Sequence, residues 1–199
     1  MWATPAVRSA LAIDAVLTVF ALPTALLPAM NSELLDGRPE TLGLLMSCLS
    51  VGGIAASVFS GPISSAKRLG YCLVGAGAVW GLLALLLGFS TDPVVSAAVL
   101  VLIGAADLVA SVLGQSIIQI STPDEYRGRV SGIEHLVQMG GPQLGSMRAG
   151  SVAAAFGSAV SLVVGGAVAV AGLTVLVLTH AEAIRRVRTD EGARDAHRR

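Results

Sequence analysis

Between Thr41 and Ala66 the chain runs without a single Asp, Glu, Lys or Arg, and it does so again from Leu69 to Thr91. Stretches beyond about 18 apolar residues are long enough to cross the hydrocarbon core of a bilayer as helices. A soluble domain could hide such helices only by giving them polar outer faces, and these two have none. Composition agrees: 13% of the 199 residues are charged, against about 25% in a soluble domain, and mean hydropathy is +0.76. The sequence therefore defines an all-α membrane protein with the lipid bilayer as its first partner. A nucleic-acid partner is not expected.

Six spans separate at breaks with turn chemistry, over about residues 10–30, 42–63, 69–89, 94–118, 130–156 and 158–179. The breaks read NSELLDGRPE, KR, STDP, STPDEYRGR and FGS. Residues 1–180 then form one six-helix transmembrane domain, and residues 181–199 a charged tail. Asp14 interrupts the first run and no small-x-small cleavage site follows it, so that run is expected to be a span and not a signal peptide. An even number of spans puts both termini on one side. Arg8, Lys67, Arg68, Arg127, Arg129 and the six arginines of residues 185–199 make eleven basic residues on that side. Arg38 stands alone on the other, beside Glu33, Asp36, Glu40 and Asp92. Basic residues favour the cytoplasmic side of short loops. A multi-pass protein of the cell (inner) membrane with both termini cytoplasmic is expected.

The 23 glycines recur at helix-packing intervals. Gly53, Ser57 and Gly61 step by four along the second span, Gly77 and Gly81 along the third, Gly141 and Gly145 along the fifth. Small residues four apart let helix backbones approach closely in lipid. Cys48 and Cys72 have neither disulfide nor metal-site spacing and read as small buried packers.

Asp14, Asp107, Glu134 and Arg148 all fall within spans. A charge near mid-bilayer costs roughly 3 kcal/mol, so such residues tend to face protein or water and to serve function. In the fifth span Glu134, Gln138, Gly141, Gly145 and Arg148 fall within about 80° of arc at 100° per residue. His135 lies at the edge of that stripe, Gln143 points nearly opposite, and Pro142 is expected to bend the helix. In the fourth span Asp107, Ser111, Gly114 and Gln115 share a face, with Gln119 drifting off its end. Two polar stripes in so apolar a chain point to a water-accessible cavity or pathway. Plainer roles stay open: Glu134 as an ion-pair partner of Arg129, Asp14 of Arg8, and Arg148 snorkelling to headgroups.

Nothing resembles an enzyme's constellation. P-loop, HExxH, GxSxG and a strand-borne dinucleotide fingerprint are all missing from the sequence. The glycines of GAGAVWG, residues 75–81, sit in a membrane span, where a phosphate cradle cannot form.

Three stretches carry a family likeness: PTALLPAMNSELLDGRPETLGLL (23–45), SGPISSAKRLG (60–70) and TPDEYRGRVSGIEHLVQMGGPQLGSMRAG (122–150). They resemble the enterobactin-exporter-like branch of the major facilitator superfamily. The second stretch is a degenerate copy of the family's basic loop, with Ser65 where an aspartate is common. The resemblance implies the C-terminal six-helix half of a twelve-span fold, built as two three-helix inverted repeats, with substrate bound between halves. It also implies proton-driven export of a catecholate siderophore such as enterobactin, energised by the proton gradient without a cofactor or metal. The missing partner would be an N-terminal half or a second copy.

Taken together, Asp107, Glu134 and Asp14 are the candidate proton-coupling acids, with His135 as a relay. Arg148, Gln138, Gln115 and Ser111 are the candidate substrate contacts. Rival expectations are efflux of another small, drug-like hydrophobic compound, or a truncated, non-transporting membrane interaction protein.

Overall fold

The computed structural model describes residues 5–20, 24–35, 37–58, 69–122 and 124–186. Among these the chain is helical throughout, with short connections and no strand. The long elements are α1 (Pro5–Phe20), α2 (Leu27–Leu34), α3 (Pro39–Val58), α4 (Leu69–Gly88), α5 (Pro93–Ser121), α6 (Arg127–Phe156) and α7 (Ser158–Arg186). Single 3-10 turns, Thr24–Leu26 and Asp124–Tyr126, precede α2 and α6.

Within the expected first span the described helices are α1, to Phe20, and α2, which follows the 3-10 turn Thr24–Leu26 and carries Pro28 in its first turn. At the other end α7 runs on to Arg186, past the expected end at residue 179. Length and apolarity mark five membrane-crossing stretches, Val7–Leu34, Pro39–Val58, Leu69–Gly88, Pro93–Ser121 and Ser158–Thr179, and leave α6 out. Its glycines, amides and charges dilute its apolar content although it has the length to span. Gly61, Ser65, Lys67, Arg68 and residues 187–199 lie outside the described residues.

The helices pack in a definite order. α3 lies along α5, α4 along α7 and α5, and α1 along α6 and α7. Between them Leu27, Met30, Leu45, Leu87, Leu100 and Ile103 are fully buried. The outside is apolar too: Ile54, Val58, Phe89, Leu136 and Leu178 are largely exposed, which suits lipid and would be a liability in water. Cys72 belongs to that exposed surface and Cys48 is only half-buried, so neither is the buried packer expected.

Because lipid tails are as apolar as leucine, close backbone approach does much of the joining. At the α3–α5 crossing a side chain on Gly52 would collide with the Val101 carbonyl, and one on Gly104 with the Leu49 carbonyl. The expected Gly53–Ser57–Gly61 row does not carry this contact. A Cβ on Gly53 would stand 3.7 Å from the Gly104 oxygen, and Ser57 is exposed. Gly53 borders the crossing, its N 3.2 Å from where a Cβ on Gly104 would lie, while Gly52 takes the closer contact. The third-span glycines do pack as expected. A Cβ on Gly81 would lie 2.8 Å from Val170 Cγ2, and one on the facing Gly166 2.8 Å from the Gly81 oxygen.

The loop acids are occupied in closing helix ends. Asp92 caps α5, its Oδ1 accepting from the N–H groups of Val94 at 2.7 Å and Val95 at 3.1 Å. The α6–α7 link is a single left-handed Gly157 (φ 87°), whose N–H returns to the Ala153 carbonyl at 2.8 Å. There Glu33, from the end of α2, accepts the Ser158 N–H at 2.7 Å and so caps α7 from across the bundle. On the exposed face of α3, Ser47, Ser50 and Ser57 donate to the carbonyls of Gly43, Met46 and Ile54 at 2.8, 3.2 and 2.7 Å.

Replacing Gly104 with leucine should force α3 and α5 apart and lower stability by about 1–3 kcal/mol, the usual range for overpacking. Gly150, whose Cβ would meet open space, should accept alanine without loss. Thermal unfolding of the two variants in detergent, followed by circular dichroism, checks both.

Candidate functional site

The site grows from the way α1 and α6 lie together. A Cβ on Gly141 would collide with the Thr18 hydroxyl, and one on Gly145 would lie 2.9 Å from the Val19 carbonyl oxygen and 3.0 Å from that of Thr18. One turn further, Arg148 Nη2 donates to the Phe20 carbonyl at 3.3 Å. Contacts climb both helices in the same direction, so α1 and α6 run parallel. Asp14, one turn below Thr18, therefore falls beside the lower part of α6, where Glu134 and Gln138 stand.

Electrostatic contact follows. Asp14 feels the charges of both Glu134 and Asp107, so α1, α5 and α6 each bring one carboxylate to a common neighbourhood. Asp14 and Glu134 are half-buried and Asp107 is exposed along α5. Among the described residues no group of three His, Cys, Asp or Glu side chains is arranged to hold a metal ion. The sequence named all three; their convergence is supplied by the fold.

The other candidates scatter around this centre. Gln138 Nε2 donates to Glu134 Oε1 at 3.5 Å, a long bond along one helix face. Pro142 sits inside α6 without ending it, and having no N–H it leaves the Gln138 carbonyl without its usual helix donor. On α5, Ser111 is half-buried and Gln115 exposed on the face of Asp107. His135 and Gln143 are exposed on α6.

Arg148 stands apart from the acids. It is half-buried, and besides its bond to the Phe20 carbonyl its guanidinium carbon lies 5.3 Å from the centre of the Phe20 ring. The stripe read from the sequence thus divides. Glu134 and Gln138 belong to the acidic neighbourhood, whereas Gly141, Gly145 and Arg148 bind α6 to the last turn of α1.

A recess of about 290 Å³ opens between the end of α5 and the start of α6, lined by Gln119, Thr122, Arg127, Ser131 and Glu134. One of the three acids therefore borders an opening on the side of Arg127 and Arg129. Gln119, off the α5 stripe in a helical projection, lines the recess because the start of α6 lies beside the end of α5. Two further contributors, Phe20 and the capping Glu33, carried no sequence sign because each acts on an element far along the chain.

Five helices long and apolar enough to cross a membrane, packed in one bundle, make this a multi-pass membrane protein. The chain belongs to the transmembrane secretion effector family of the major facilitator superfamily, which it matches over residues 2–197. No curated protein and no solved structure matches it. Membership of that family is in keeping with a membrane exporter.

A hydrophobic carbodiimide reacts with carboxyl groups in apolar surroundings. It should modify the purified chain within this acidic group, and the triple variant Asp14→Asn, Asp107→Asn, Glu134→Gln should lose that labelling. Mass spectrometry of peptides from the labelled protein locates the adduct. Undiminished labelling of the triple variant would place the reactive carboxyl elsewhere.

Proposed function

We propose that this chain is the C-terminal six-helix half of a proton-coupled exporter of a catecholate siderophore such as enterobactin. The observation that carries the transport reading is membership of the transmembrane secretion effector family, and Asp14, Asp107 and Glu134 on three different helices support it. Carboxylates are costly inside a membrane and are tolerated where they face protein, water or a moving ion. The siderophore is suggested by the sequence resemblance alone. The pairing of α3 with α5 and α6 with α1, and of α4 with α5 and α7 with α1, supports a description as two related three-helix repeats, one of α1, α3 and α4 and the other of α5, α6 and α7.

In the mechanism, a proton taken up by the acidic group cancels repulsion among its members. That changes the balance between inward- and outward-facing states, in line with the rule that a ligand shifts an equilibrium only through its differential affinity for the two states. Glu134 exchanges with the cytoplasm through the recess between α5 and α6, Asp107 and Asp14 hold the proton deeper, and exposed His135 relays it. Gln138, Gln115 and Ser111 offer polar contacts to the substrate, while Arg148 is committed to Phe20. The facing wall of the route comes from an N-terminal six-helix half or a second copy, since exposed Asp107 and Gln115 would otherwise meet lipid.

The orientation has Arg8, Arg127 and Arg129 on the cytoplasmic side. Cysteines at Ser32 and Thr91, both exposed, should react in intact cells with an impermeant maleimide, and cysteines at Ala3 and Ala193 should not. Labelling at Ala193 alone would invert the topology.

Co-expressed with a first half, the chain should move radiolabelled ferric-free enterobactin out of cells, and a protonophore should abolish that movement. Glu134→Gln should impair proton-coupled movement more than substrate binding at unchanged protein level. Normal export by Glu134→Gln, Asp107→Asn and Asp14→Asn together would refute coupling through these acids.

A further inference from the structure

We propose that Arg148 is a positioning residue, a clamp that fixes the end of α1 against α6 and thereby sets where Asp14 stands relative to Glu134. This inference deepens the transport reading and depends on it only for what the positioning serves. Arg148 holds Phe20 in two ways, donating to its carbonyl at 3.3 Å while its guanidinium packs over the ring of the same residue, 5.3 Å from its centre.

The rest of the side chain is turned inward. Nε of Arg148 is buried and has no hydrogen-bond partner, so that edge of the guanidinium faces neither water nor an open route. An arginine placed to receive a substrate would keep its donors free toward the space the substrate enters. Leaving a buried donor unpaired is costly, and the arrangement persists because the other contacts of the head group hold it. Glycines remove any slack: Gly141 lies against Thr18, and Gly145 against the Thr18 and Val19 carbonyls. Three successive levels of α6 thus grip the final turn of α1.

A rigid helix transmits that grip. Asp14 lies six residues before Phe20 on the same α-helix, which is about 9 Å along the axis. Fixing the Phe20 end therefore fixes the height and tilt at which Asp14 approaches α6. Asp14 and Glu134 both precede the clamp along their helices.

Spin labels report the geometry directly. In a chain with Cys48→Ala and Cys72→Ala, labels are attached at cysteines replacing Arg8 on α1 and Leu136 on α6, both exposed and at the end away from the clamp. Pulsed electron resonance in liposomes should give one narrow distance peak. Arg148→Met should lose that single peak in favour of a broad distribution. Arg148→Lys, which keeps a charged donor, should restore most of it. Phe20→Leu, which keeps the carbonyl and removes the ring, should fall between and guards against a methionine variant that fails to insert. An unchanged peak in both Arg148→Met and Phe20→Leu overturns the clamp. Loss of enterobactin export by Arg148→Met with an unchanged peak also overturns it, making Arg148 a substrate contact and leaving the transport reading intact. A broadened peak supports the clamp whether or not the chain exports.

Discussion

Apolar side chains gain little by moving from lipid to protein, and everything in this bundle follows from that. A soluble domain of this size would be held by burial of its core. Here the exposed Ile54, Phe89 and Leu136 are as comfortable as the buried leucines, so packing must come from contact that lipid cannot imitate. Backbone against backbone is one such contact, at Gly52–Val101, Gly104–Leu49 and Gly166–Gly81. Hydrogen bonds to unsatisfied helix ends are the other. Asp92 and Glu33 each serve a helix terminus, Glu33 from a distant part of the chain, and Arg148 reaches the Phe20 carbonyl from another helix.

This constraint also explains which parts of the structure were legible in the sequence. Charge-free runs announce membrane helices without ambiguity, because each must hide its own backbone. The position of Asp14, Asp107 and Glu134 on their helices was equally plain, since a single charge stands out in such a background. What could not be read was which helix each face meets. The α6 stripe had one angular position but two occupants, and only the parallel docking of α1 divides Glu134 from Arg148. Gly52 went unremarked beside Gly53 for a similar reason: adjacent glycines differ by a face, and only the Val101 carbonyl selects between them.

The chemistry and the architecture are joined through α1 and α6. Glycines permit these helices to touch, touching brings Asp14 beside Glu134, and the same contact sets Arg148 on Phe20. On the proposed mechanism a proton is the perturbation, and a closely docked parallel helix pair leaves little slack in which its effect would be lost.

The hydroxyls of α3 lead to a different kind of consequence. Ser47, Ser50 and Ser57 already give their protons to carbonyls of their own helix, although they lie on an exposed face. A helix that rests on that face meets hydroxyls whose protons are already given, so it can bond to them only by bringing donors of its own.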